Sequence, residues 1–288
     1  VAYPHMNGLG GDSFWLVHEP GSNPWAIDAC GCAAKSSSVG WYSDRGHQQI
    51  PSRGPAAALT MAGTVAGWQL ARDTWASNNG YENLASLEEL LAPAVDKANH
   101  GIVVTDSLAA AAAKVSTELQ ESAGYQQVFT RAGALLKSGD VFQNPGLGAL
   151  LSELGSKGLD EFYRGEIGSR LAKVLSNSGS PIVAEDFLAY QAKVVTPLVA
   201  NIRHGQVFNL PAPTQGFASL LLLASYDRLA QDDWTEADAI HAIIECTKHA
   251  FHLREQWIAD PDQVPVNLQM ELSDESISSV AKKVDLDS

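Results

Sequence analysis

Tyr3-Pro4-His5-Met6-Asn7-Gly8-Leu9-Gly10-Gly11-Asp12-Ser13-Phe14-Trp15-Leu16-Val17 is the stretch that decides how the chain is read. Its first part is too rich in glycine for regular structure. Glycines there let a backbone turn tightly or approach another segment closely. Its end is a run of aromatic and aliphatic residues, which favours a strand. Residues 19–24 hold two prolines and a glycine and read as a turn. Trp25-Ala26-Ile27-Asp28 then forms a second strand, so the pair predicts a hairpin. The glycines are not a dinucleotide fingerprint, because no strand precedes them and no helix follows. They read as a tight turn whose backbone can line a pocket.

Beyond this opening the periodicity becomes helical. Leu59, Ala62, Val65, Ala66 and Leu70 recur mostly three or four apart, and Pro55 suits an early helical position, so a helix is expected to open near 55. Ser86 with Glu89 is a capping-box pattern. Asp106 is placed to cap an alanine-rich helix over 107–119, and Asn144-Pro145 opens another that runs to 154. Further helices are expected over 159–175, 216–229, 236–257 and 273–283, with a strand at 206–210 stopped by Pro211 and Pro213. Helices dominate and strands sit towards the two ends, which makes the fold class α+β and the expected organisation a single domain over 1–288. The strands are too few for a self-contained sheet, and a partner chain that completes it would account for that.

The chain has 288 residues, 45% hydrophobic and 18% charged, with a formal net charge of −14. Such a surface repels phosphate backbones and anionic lipids, so nucleic acid and membrane surfaces are not expected partners. No apolar run approaches the ~20 residues of a membrane helix. Three cysteines, an odd and sparse set, fit a reducing compartment, so the cytoplasm is the expected location and the periplasm the alternative. The chain opens without a start methionine and reads like the middle of a protein.

Candidate chemistry is thin. Cys30-Gly31-Cys32 is spaced too closely for a usual zinc pair and lacks further ligands, so a buried structural thiol is the favoured reading. His241, Glu245, His249 and His252 share one helical stripe, where four groups cannot converge on one ion. No metal or cofactor is therefore expected. Arg45, Arg53 and Arg203 are candidate anion holders in a chain poor in basic residues. Arg53 stands out, since Pro51 and Pro55 stiffen its loop. The nucleophile elbow, the His-Glu-x-x-His zinc motif and the P-loop are all absent. The chain alone shows no complete catalytic set.

The order of motifs carries more information than any one of them. The opening stretch through Phe14 resembles the glycine-rich motif of the γ-glutamyltransferase family, with Ala26-Ile27-Asp28 in the place of its next segment. Gly63-Thr64-Val65-Ala66-Gly67, Gly139-Asp140-Val141, Phe162-Tyr163-Arg164-Gly165 and the run Pro181 to Tyr190 match further stretches in order. Leu210-Pro211-Ala212-Pro213-Thr214-Gln215-Gly216, Arg254 and Asp260-Pro261-Asp262 complete the set. The resemblance covers essentially the whole chain and matches the large subunit only. It lacks the family's first helical segment and the linker to the cleavage site.

That resemblance implies a four-layer αββα sandwich of N-terminal nucleophile hydrolase type, built jointly with a small subunit cut from the same precursor. The nucleophile, an N-terminal threonine, lies on that small subunit, so no catalytic residue in the strict sense is expected in this chain. A dimer of such heterodimers is a permitted assembly. The family's substrate-gripping arginine is replaced here by Cys30, and a cysteine cannot make a bidentate carboxylate contact. Cys30, Gly31 and Arg53 are the expected substrate-facing residues, with Arg53 or a group of the small subunit holding a carboxylate. The opening motif and the Ile50-Pro51-Ser52-Arg53-Gly54-Pro55 loop look most like the branch that includes oxamate amidohydrolases, which points to a small amide as substrate. The rival readings are a γ-glutamyltransferase or glutathione hydrolase, and a non-catalytic binding module on the same fold.

Overall fold

The computed structural model describes residues 1–80, 82 and 84–286. In chain order the elements are β1 (Ser13–Val17), β2 (Trp25–Ala29), α1 (Val39–Ser43), α2 (Thr64–Asn79), α3 (Leu87–His100), β3 (Ile102–Val103), α4 (Asp106–Leu119) and α5 (Ala123–Phe129). Next come β4 (Thr130–Arg131), β5 (Ala134–Leu135), β6 (Val141–Phe142), α6 (Pro145–Lys157), α7 (Glu161–Arg164), α8 (Glu166–Asn177) and α9 (Ala184–Ala189). The last are β7 (Lys193–Val195), β8 (Leu198–Ile202), β9 (Gly205–Asn209), α10 (Gly216–Leu229), α11 (Glu236–Trp257) and α12 (Asp274–Ala281). This is an α+β chain. By contact it divides into two compact units, one of Val1–Ser13 with Ala29–Ala192, the other of Phe14–Asp28 with Lys193–Ser288.

The first unit is mainly helical. α3 packs along α6. Its main core gathers Met61, Val65, Leu154, Phe162, Tyr163, Ile167, Phe187 and Tyr190, all nearly solvent-free. Burying a large side chain of this kind stabilises by about 1.5–3 kcal/mol before the ordering cost. A satellite cluster of Val104, Leu108, Leu136 and Phe142 sits where β3 pairs with β6.

The second unit is built around two small sheets and α10. β2 lies between β1 and β7, antiparallel to β7 with Ala26 opposite Val195. Ala26 and Ile27 on this central strand have no exposed surface. β8 and β9 form a hairpin, and α10 packs against it through Phe217, Leu220, Leu221 and Ala224. α11 and α12 complete this core.

Most sequence signals hold. α10 and α11 occupy 216–229 and 236–257, Asn144 caps α6 with Pro145 in its first turn, and Ser86 with Glu89 closes a reciprocal capping box on α3. Four expectations need correction. Cys30 and Cys32, expected as buried structural thiols, are half-buried and exposed, because their segment is held by backbone hydrogen bonds and not by packing of the thiols. Pro55 opens only a single 3-10 turn, Pro55–Ala57, and the long helix expected from there begins at Thr64. Residues 59–61 instead pair with 32–34, through Ala34 N–H to Leu59 O at 2.8 Å, Met61 N–H to Cys32 O at 2.9 Å and a bridge between Ala33 and Thr60. Long-range pairing outbids helix propensity there. The helix expected over 159–175 breaks at Gly165, where the Glu161 carboxylate folds back to accept the Glu166 N–H at 3.0 Å. Thr105, not Asp106, caps α4; its hydroxyl accepts the Leu108 N–H at 3.2 Å.

The two capping boxes carry a pH signature. Hydrogen bonds from the Ser86 backbone N–H and hydroxyl hold the Glu89 carboxyl below its ordinary range, and Thr235 does the same for Asp238 on α11. Depressed folded-state values mean the stabilisation is present above the unfolded pKa values near ~4 and is lost as pH falls through the folded ones. Thermal melts of the native chain and Glu89→Gln are therefore expected to differ at pH 6 and to converge towards pH 3. A gap that persists at pH 3 would contradict this.

Candidate functional site

The glycine-rich opening forms a loop seated on the start of α2. The Gly11 carbonyl accepts the N–H groups of Gly63 and Thr64, both at 2.9 Å, and the Thr64 hydroxyl at 2.8 Å. Thr64 is buried, yet its hydroxyl also reaches the Asp12 carbonyl at 3.1 Å, so no polar atom is stranded there. The loop lines a cavity of about 930 Å3, with Gly8, Gly11, Asp12 and Ser13 on one wall and Trp68, Tyr125 and Phe142 among the apolar residues opposite.

Cys30 and Gly31 join this wall through Asp12. The Asp12 carboxylate accepts the Gly31 N–H at 2.7 Å and faces the Cys30 thiol at 3.7 Å. Gly31 has no room for a side chain, since a Cβ would lie 1.7 Å from the Met61 carbonyl oxygen. Gly63 is as tight, with the Ala29 carbonyl oxygen 1.9 Å from where its Cβ would be. From beneath, the Tyr190 hydroxyl donates to the Cys30 carbonyl at 3.0 Å. Tyr163 lies beside Tyr190 at 5.6 Å between ring centroids. Its hydroxyl donates to Ala62 O at 2.6 Å and accepts the Ala66 N–H at 2.9 Å. Burial pushes the Tyr163 phenol well above its usual pKa, so it stays protonated and acts as a fixed brace.

The structure thus brings Cys30 and Gly31 together and adds Asp12 and Tyr190, which the sequence reading did not single out. Asp12 had a signal, as the one charged residue in the glycine run. Tyr190 had none, because its partner is 160 positions away. Arg53 stands on its own loop, where Nε faces Glu118 at 3.5 Å and the Ser52 hydroxyl donates to the same carboxylate at 3.0 Å. Glu118 precedes Leu119, which lines the cavity.

The other candidates fall to ordinary structure. Arg203 pairs with Asp227 at 3.3 Å and Arg45 stacks on Trp41 at 4.1 Å. On α11, Glu245 is engaged by Lys248 and lies 3.8 Å from His241. Among the described residues no group of three or more His, Cys, Asp or Glu is placed to hold a metal. Cys246 is fully buried and burial pushes its thiol up to about 11, so it stays protonated at neutral pH. No described helix is long and apolar enough to cross a membrane.

Two substitutions test this cradle. Gly31→Ala is expected to destabilise by about 1–3 kcal/mol through overpacking, and Tyr190→Phe by about 1 kcal/mol through one lost hydrogen bond. Denaturant melts measure both. A neutral Gly31→Ala would show that the Met61 carbonyl is free to move aside.

The family model described as gamma-glutamyltranspeptidase matches residues 1–288. The chain is 41% identical over 285 residues to the oxamate amidohydrolase proenzyme of Klebsiella pneumoniae, covering 99% of this chain and 53% of that protein. It is 31% identical over 289 residues to a glutathione hydrolase-like proenzyme of Bacillus subtilis, again covering 99% of this chain and 53% of the relative. The chain thus spans about half the length of these curated relatives. Its fold superposes on the gamma-glutamyltranspeptidase of Pseudomonas nitroreducens complexed with L-DON with a TM-score of 0.83 and 25% identity, covering all of this chain and 84% of that one. The shared fold, the ordered motifs and the full-length family match lead to one conclusion: the chain belongs to the γ-glutamyltransferase (gamma-glutamyltranspeptidase) family.

Proposed function

We propose that this chain is the large subunit of an autoprocessed two-chain amidohydrolase that cleaves a small anionic amide of the oxamate kind. The observation that carries the reading is the 41% identity to an oxamate amidohydrolase proenzyme over 99% of the chain. The cradle supports it, because Cys30 stands beside the Asp12 carboxylate, which no described Lys, Arg or His pairs with, and a thiol cannot grip a substrate carboxylate as an arginine does.

The nucleophile belongs to the companion chain, as an N-terminal threonine. Its α-amine takes the hydroxyl proton, and an amine pKa near ~7.7–8.0 suits that task at neutral pH. The hydroxyl oxygen attacks the amide carbonyl, the C–N bond breaks and the substrate nitrogen leaves as ammonia with the proton the α-amine had taken, and water hydrolyses the resulting ester. This chain contributes one wall. Its glycine loop lets the backbone approach the substrate closely, and Asp12 and Tyr190 hold Cys30 and Gly31 in register. Arg53 supplies the cation. Its Nε is turned to Glu118, and its side chain is about half exposed, so the guanidinium is accessible to a carboxylate.

N-terminal sequencing of the companion chain is the first check, and a threonine is expected. Another first residue, or an uncut precursor, would sink the enzyme reading in favour of a binding module. Assays of the two-chain protein are expected to show oxamate hydrolysis and little turnover of γ-glutamyl-p-nitroanilide. Efficient γ-glutamyl transfer to a dipeptide would favour the glutathione hydrolase reading instead. Arg53→Ala is expected to raise KM about tenfold or more, the value of a charge-assisted hydrogen bond, with partial recovery in Arg53→Lys. An unchanged KM would remove Arg53 from the pocket.

A further inference from the structure

Asp12 is exposed, and its two carboxylate oxygens face the same short segment, one on the Gly31 N–H at 2.7 Å and the other on the Cys30 thiol at 3.7 Å. No described Lys, Arg or His forms an ion pair with it. It lines the large cavity beside Gly8, Gly11 and Ser13. A carboxylate held this way does two things. It fixes where Cys30 and Gly31 stand, and it leaves an unneutralised negative charge on the cavity wall.

We propose that Asp12 is a positioning and selectivity residue, which holds the Cys30-Gly31 turn and excludes substrate carboxylates from that corner of the pocket. The inference rests on the proposed amidohydrolase reading for its link to substrate, but the charge effect at Cys30 stands apart from it. Groups presented to this corner are neutral or hydrogen-bond donors. An acyl group short enough to keep its carboxylate away from the corner is accepted. A longer acyl group that carries a carboxylate to the corner meets like charge at short range, and that repulsion weakens as salt is raised. Cys30 is compatible with this wall, because a thiol donates weakly to a carboxylate and brings no charge of its own.

The position also limits what a change at Cys30 alone can do. An arginine placed there would lie within reach of the Asp12 carboxylate and pair with it, so its charge would be spent inside the wall. Cys30→Arg alone is therefore expected to leave γ-glutamyl turnover low. The double variant Cys30→Arg with Asp12→Asn frees the guanidinium for a substrate carboxylate.

The test uses the two-chain protein and begins with a readout that needs no substrate. In a Cys32→Ser background, the alkylation rate of Cys30 is measured by peptide mass spectrometry with neutral iodoacetamide and with anionic iodoacetate. Asp12→Asn keeps an oxygen acceptor for the Gly31 N–H but removes the charge. The iodoacetamide-to-iodoacetate rate ratio is expected to fall about tenfold in Asp12→Asn at low salt, and the difference between the two proteins to shrink as salt is raised. An unchanged ratio overturns the proposal. The second readout compares kcat/KM for glutaryl-p-nitroanilide, which carries a carboxylate and no ammonium, and its uncharged analogue butyryl-p-nitroanilide. Asp12→Asn is expected to shift the preference towards the charged substrate by about tenfold, and a proportional loss on both would reduce Asp12 to a structural role and overturn the selectivity claim. If the unsubstituted protein hydrolyses no amide at all, the proposed function fails, and the alkylation ratio still decides the charge effect of Asp12.

Discussion

The contact on which the first unit depends is a crossing of two backbones that only glycine permits. The Met61 carbonyl oxygen occupies the place a Cβ on Gly31 would take, and the Ala29 carbonyl oxygen does the same to Gly63. With both positions bare, segment 29–34 and segment 59–64 come close enough to exchange backbone hydrogen bonds, and the start of α2 lies against the glycine loop. Several features follow from that crossing. It delays α2 to Thr64, it gives Gly11 its three donors, and it sets Cys30 beside Asp12.

The chemistry of the wall follows from the same geometry. Close backbone packing leaves little space for bulky side chains, so the groups presented there are short: an aspartate, a thiol, a serine and glycine amides. The larger side chains act from behind. Tyr163 and Tyr190 hold carbonyls and amides in place, and burial keeps the Tyr163 phenol protonated, so it braces the fold and does not titrate at physiological pH. A wall of this kind is suited to positioning a bound group through backbone amides and short side chains.

Charge works in a similar division. The chain carries a net −14, so an anionic substrate needs a specific cation to hold it. Of the three candidate arginines, Arg203 is paired with Asp227, Arg45 is stacked on Trp41, and Arg53 faces Glu118 at 3.5 Å. Asp12 lines the cavity and Arg53 does not, so the proposed substrate cation and the fixed negative charge stand on separate segments.

Local physics made much of this legible in the sequence. Caps at Ser86 and Asn144, the spans of α10 and α11, and the strands Ser13–Val17 and Gly205–Asn209 rest on interactions within a few residues. What only the tertiary structure decided involves partners far apart in sequence. The late start of α2 comes from pairing with 32–34. The position of Cys30 depends on Asp12 and Tyr190, 18 and 160 residues away. β7 and β8 are short valine-containing strands that acquire meaning only through β2 and β9. A pattern read along the chain registers what each residue prefers. It does not register which distant carbonyl will occupy the space beside a glycine, and here that placement assembles the site.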